Sequence, residues 1–208
     1  MAAEAKLDAT NVVVLGAWNP AILQPQWVAK QVFGIEGDLA VQWEVSFVAN
    51  APPRFTLGDV RFMPAYDRLT LVPQGLDAAQ LATCENALRT ILTSLPHTPI
   101  SAFGINYSFE DATPSTGLQA LFLDTEGLAE AANLNFEPRA MAVQRAMAIP
   151  PYVLNFTRSL DNNGVAGYKF NFHYDVTDTA AAAELLNGAL AGTLATARQI
   201  LAVYDALQ

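Results

Sequence analysis

The chain is poor in the residues that do chemistry. It has one cysteine, Cys84, and two histidines, His97 and His173, in 208 residues. A lone cysteine cannot close an internal disulfide, and a core of this size needs no disulfide or metal to hold it. With two histidines and no H-x-x-x-H or C-x-x-C spacing, no zinc set can be assembled from the sequence. The expectation is no metal and no cofactor. Nucleotide-binding glycine fingerprints (G-x-x-x-x-G-K-[ST], G-x-G-x-x-G) are missing, and so is the G-x-S-x-G elbow of a serine hydrolase. No catalytic residue is assigned.

Charge is scarce as well. Charged residues make up 15% of the chain, against about 25% in ordinary domains. Eleven Lys and Arg face twenty Asp and Glu, for a net charge of −9. The basic residues are scattered and do not alternate with aromatics, which argues against a nucleic-acid surface. The acidic balance likewise disfavours an anionic membrane. The first apolar run, "VVVLGAW", is far short of the ~18 residues a spanning helix needs. "MAAEAKLDAT" carries charges where a secretory signal would be apolar. The expected location is cytoplasmic.

What the chain does have is apolar residues, 52% of the total, and a mean hydropathy of +0.21. Few charges and many apolar side chains imply a very complete core or a surface covered by another subunit. Self-association or a tight protein partner is therefore expected.

Helix signals are local and legible. Pro25 suits the first position of a helix through Phe33, with Gly34 as its stop. In "GLDAAQLATCENALRTILTSLP", Asp77 and Gln80 form a capping-box pattern. Leu76 and Leu81 form a staple, and Pro96 ends the helix. Cys84 lies on the apolar stripe of that helix and reads as a buried structural thiol. The last 30 residues read as one Ala-rich helix opened by Thr177 or Asp178, with Gly188 and Gly192 four apart, a spacing that suits close packing on a sheet or a second copy. His97, in "LPHTPI", reads as a surface loop residue, and Trp18, Trp27 and Trp43 as core.

Strands are expected at 11–18, 39–47, 56–63, 67–72, 100–110, 118–124, 139–149, 152–160 and 167–176. Residues 125–137 are ambiguous between a helical turn and a loop. The expected fold is α+β, with mostly antiparallel sheet and long helices on one face. It forms a single domain, 1–208, built from two strand-meander-then-helix halves at 1–110 and 118–208 joined by the linker 111–117, "DATPSTG".

"GYKFNFHYDV" alternates strictly, and "YVLNFTRSL" is its hairpin partner. A two-residue Asn163-Gly164 turn would pair Phe170 with Thr157. A three-residue loop, Asn162-Asn163-Gly164, pairs Phe156 with Phe170, Leu154 with Phe172 and Tyr152 with Tyr174. Aromatic cross-strand pairs and ring burial favour the second by several kcal/mol, at roughly 1.5–3 kcal/mol per ring. The other face then collects Asn155, Thr157, Lys169, Asn171, His173 and Asp175. It reads either as the solvated side of an antiparallel sheet or as a ligand-binding face with His173 as base or ligand. Asp124 and Glu126, with Glu110 and Asp111, read as turn and cap residues, or alternatively as a hard-cation site whose spacing fits no calcium loop.

Two functions follow. The first is a non-catalytic protein acting through protein contact or assembly. The alternative is a small-molecule-binding protein or enzyme, with its site on the Asn171/His173 face or between helix and sheet layers.

Overall fold

The computed structural model describes residues 3–37, 41–44, 54–123 and 140–206. Among these, ten strands form one antiparallel sheet. They are β1 (Glu4–Ala5), β2 (Asn11–Gly16), β3 (Gln42–Glu44), β4 (Arg54–Leu57), β5 (Val60–Pro64), β6 (Arg68–Pro73), β7 (Ile100–Asp111), β8 (Met141–Ile149), β9 (Tyr152–Leu160) and β10 (Ala166–Asp175). The order across the sheet is β3-β4-β5-β6-β2-β7-β10-β9-β8, with β1 beside the far end of β7. Five helices accompany it: α1 (Pro25–Phe33), α2 (Ala78–Ser94), α3 (Thr116–Leu123), α4 (Thr179–Leu185) and α5 (Ala189–Asp205). The α+β, antiparallel reading holds.

The fold contains two copies of one plan. In each, a strand leads to a helix, then to a meander (four strands, β3 to β6, in the first and three, β8 to β10, in the second) whose last strand returns beside the first, then to further helix. β2 returns to β6, and β7 returns to β10. The copies meet where β2 pairs with β7, with Val13 opposite Gly104. α1 and α3 each begin twelve residues beyond their member of that pair. In this order of elements the second run begins with β7, and residues 111–117 pass from the end of β7 into the start of α3.

Local chemistry explains the helix ends. Gln80 donates its backbone N–H to Asp77 Oδ1 at 2.9 Å, and Gly34 closes α1 in the left-handed conformation. Three expectations are corrected. Of the strand expected at 118–124, the described residues 118–123 are helical: Ser115 Oγ accepts the Leu118 N–H at 3.1 Å and starts α3, and Leu118 and Phe122, four apart, are both buried. The expected strand 56–63 is a hairpin instead. It turns at Gly58-Asp59, with Gly58 at φ 55° and Leu57 opposite Val60, a two-residue turn with glycine where positive φ is needed. The last helix is two helices, broken at Gly188, which sits at φ 76°. No atom lies within 4 Å of a Cβ built on Gly188 or Gly192, so this pair serves the break and the outer surface, with no close packing in the domain.

The aromatic hairpin takes the longer loop. Asp161 and Val165 close it, Gly164 stands at φ 78°, and Phe156 faces Phe170 while Leu154 faces Phe172. The rings of Tyr152 and Tyr174 meet at 5.4 Å. The Val165 and Asn163 backbone N–H groups hold the Asp161 carboxyl below the usual carboxylate range.

The central strands thus send most of their large apolar residues to the helix side. Val12, Val14, Phe103, Ile105, Phe170 and Phe172 are buried there in one core with Leu88, Ile91, Leu190 and Leu194 of the helices. Trp18 and Trp27 belong to or border this core. Trp43, expected inside, packs one side on Phe55 and leaves 48% of its surface exposed, because β3 is the last strand of the order.

Candidate functional site

The opposite face of the sheet carries no helix among the described elements, and its residues stand in registered rows. Asn11 faces Asn106, Asn106 faces Asn171, and Asn171 faces Asn155, across β2, β7, β10 and β9. Neighbouring strands lie ~4.8 Å apart, a span two short amide side chains can bridge. Asn106 Nδ2 donates to Asn11 Oδ1 at 2.8 Å. Asn171 Nδ2 donates to Asn106 Oδ1 at 2.8 Å, and Asn155 Nδ2 donates to Asn171 Oδ1 at 3.0 Å. Four amides thus form one continuous hydrogen-bonded chain with a single sense, and such aligned bonds polarise one another.

Gly104 makes room for it. A Cβ at that position would stand 2.9 Å from Asn171 Nδ2. The missing side chain leaves the space the Asn171 amide occupies on its way to Asn106.

The next row is Ser108, Lys169 and Thr157, followed by Gln144 on β8. Both rows border a trough of about 580 Å³, whose lining also includes Ala9 of the 3₁₀ turn Leu7–Ala9. This volume falls within the ~300–1,000 Å³ of ordinary ligand sites. Tyr107 and Phe170 also border it. Both residues lie on the helix side of their strands and are buried, so they offer backbone and no ring face. The Tyr107 hydroxyl donates to the Leu190 carbonyl at 2.6 Å on that far side, and burial raises its pKa.

Of the six residues expected on this face, Asn155, Thr157, Lys169 and Asn171 line the trough together. His173 and Asp175 lie further along β10, outside it. They engage each other, His173 Nε2 to Asp175 Oδ1 at 3.1 Å. Asn11, Asn106, Ser108 and Gln144 complete the lining and were not singled out from the sequence. The alternation of "INYSFE" places Asn106 and Ser108 on a polar face, but joining that face to β10 requires the pairing of strands 65 residues apart.

The other candidates separate. Glu110 is held by Lys6 at 2.8 Å, and Asp111 accepts the Thr113 N–H. Asp124 and Glu126 lie outside the described residues, as does the segment 125–137. Among the described residues no group of three or more His, Cys, Asp or Glu is placed to hold a metal. Cys84 is buried, and burial pushes its thiol up to about 12, with the Glu85 charge adding to it. A thiol so protonated is a poor nucleophile. His97 is exposed. Among the described residues no helix is long and apolar enough to cross a membrane. Set against known proteins, the chain matches no family model, no curated protein and no solved structure.

Proposed function

We propose that the protein acts by non-covalent binding, and that its working surface is the helix-free face of the sheet around Asn106 and Asn171. The observation that carries this reading is the amide chain on the floor of a ligand-sized trough. The scaffold itself does not require that chain. A twofold through the Val13–Gly104 pair would exchange Asn106 with Leu15, Asn11 with Ala102 and Asn171 with Arg68. At every one of these positions only one of the two copies carries an amide, Asn11 in the first and Asn106 and Asn171 in the second, so the row of amides is no part of what the two copies share.

Gly104→Ala is the discriminating variant. Its added methyl displaces the Asn171 amide, the movable end of a side chain, and touches no other side-chain atom within 4 Å. Gly-to-Ala in a strand interior also regains backbone entropy, so the expected change in stability is under about 1 kcal/mol. A compound at a hundredfold excess over its Kd stabilises the parent by about 2.7 kcal/mol, or roughly 5–10 °C in Tm. In a thermal-shift screen, compounds that raise the parent's Tm should lose that effect on the variant. Equal shifts in both proteins would remove the binding function from this face.

A second reading, assembly through protein contact, rests on β8. It is nine residues long, bears one charge, Arg145, and has no strand on its outer side among those described. Such edges invite pairing. Light scattering should then show dimers growing with concentration, and a strict monomer throughout would end this reading.

A further inference from the structure

The balance of unused hydrogen-bonding groups on the trough floor specifies the kind of ligand, granted the binding reading above. An asparagine amide has two N–H donors and an oxygen with two lone pairs. Within the chain, Asn106 and Asn171 each spend one of each and keep one of each. Asn11 keeps both donors and Asn155 both lone pairs. Ser108 and Thr157, in the adjoining row, add hydroxyls that both give and accept. Donors and acceptors therefore alternate along the floor. An acceptor-only anion such as phosphate would set its lone pairs against those of the amides. A donor-only cation would leave the spare N–H groups bare. A hydroxyl answers both, and so would a ligand carrying a row of them.

Lys169 adds one charge to this neutral floor. Its ammonium makes none of the ion pairs found among the described residues. The acid nearest in register, Glu110, sits diagonally across β7 and is taken by Lys6. On a chain of net charge −9, an unpaired cation inside the trough marks the place of an acidic group. Among the described residues that line the trough no ring faces the floor, so recognition rests on hydrogen bonds and this charge. Five strands from β2 to β8 span about 19 Å at ~4.8 Å per step, enough for an elongated molecule.

We propose that the trough binds a hydroxyl-rich acid of the acidic-sugar class, with its carboxylate at Lys169 and its hydroxyls along Asn11, Asn106, Asn171 and Asn155.

Three probes separate the terms: D-glucuronate, its neutral methyl ester, and acetate, each titrated into the isotopically labelled full chain while the asparagine side-chain amide resonances are followed by NMR. Glucuronate should shift the Asn106 and Asn171 amides saturably. The ester should bind about tenfold more weakly, the factor that one lost charge-assisted contact of ~1.4 kcal/mol gives. Acetate should leave those amides unmoved, and Lys169→Met should equalise acid and ester. Lys169 is exposed, so that variant is expected to fold. The proposal is overturned if the ester matches the acid, if acetate reproduces the shifts, or if glucuronate gives no saturable shift. In the last case, a screened compound still lost in Gly104→Ala would show that only the ligand class was wrong.

Discussion

Phe172→Ala is expected to lower folding stability by about 4 kcal/mol, in the range for aromatic-to-alanine changes in cores, and the Tm by roughly 10 °C. Phe172 is fully buried on β10, between Ile105 of β7 and Leu154 of β9. Its ring lies edge-on to Tyr107 at 6.1 Å and to Tyr152 at 5.1 Å, and stacks along the strand with Phe170 at 6.5 Å. Three rings would lose a partner at once, and the sheet cannot close over the space without shifting two neighbouring strands. The residue before it points to the other face. Asn171→Ala removes two hydrogen bonds that are only part-buried, so its expected cost is about 1 kcal/mol. Urea unfolding of the two variants measures the asymmetry of one strand. If Asn171→Ala cost as much as Phe172→Ala, or if the latter cost under about 1 kcal/mol, the assignment of faces would fall.

That asymmetry was visible in the sequence because the side-chain period of a strand is two, and "GYKFNFHYDV" obeys it without exception. Register in the β9–β10 hairpin was legible for the same reason, since a slip of one residue would set Phe170 against Thr157. Helix α2 announced itself by Asp77 and Pro96. Where the reading went astray, the local signal was shared by two structures. "GLQALFL" fits a buried strand as well as a short helix, and only the Ser115 cap decides between them. Asn187-Gly188 was one polar pair inside an otherwise unbroken helical stripe. The trough was half legible. Asn155, Thr157, Lys169 and Asn171 are neighbours in one hairpin, so alternation alone brings them to one face. Asn106 and Asn11 arrive through β7, which pairs with a strand some 65 residues later and another 95 residues earlier. No local pattern encodes which strands become neighbours. His173 and Asp175 share the face with the four lining residues, and only the position of the trough along β10 separates them.

Within the helix layer α2 is tied to α5 by a buried carboxylate, and there the other large effect is expected. Glu85, on α2, is 8% exposed. Its two oxygens accept the backbone N–H groups of Gly188 at 2.7 Å and Leu190 at 3.1 Å, where α5 begins. Gly188 has no side chain with which to cap its own helix, so the cap comes from another helix, about 100 residues away in sequence. The negative charge also sits at the positive end of the α5 dipole. One turn further along α2, the Arg89 Nε–H donates to the carbonyl of Ala183 at 3.0 Å, so α2 holds the chain on both sides of the α4–α5 break. The Leu190 carbonyl is in turn the acceptor of the Tyr107 hydroxyl, and Tyr107 adjoins Asn106 on β7. Glu85→Ala leaves two N–H groups of the first turn without their acceptor in a poorly hydrated place. Loss of a cap and of charge-assisted bonds together should cost about 3 kcal/mol. Glu85→Gln keeps one oxygen and gives up the charge, so about half of that loss is expected. In urea the midpoint should fall with an unchanged slope. Hydrogen exchange should quicken at Gly188 and Leu190 before it does anywhere in β10. An alanine variant with the parent's midpoint would mean that α5 is held by its apolar stripe alone, through Leu190, Leu194, Ala197 and Leu201, and that the carboxylate contributes nothing to docking the helix behind the strand that carries Asn106.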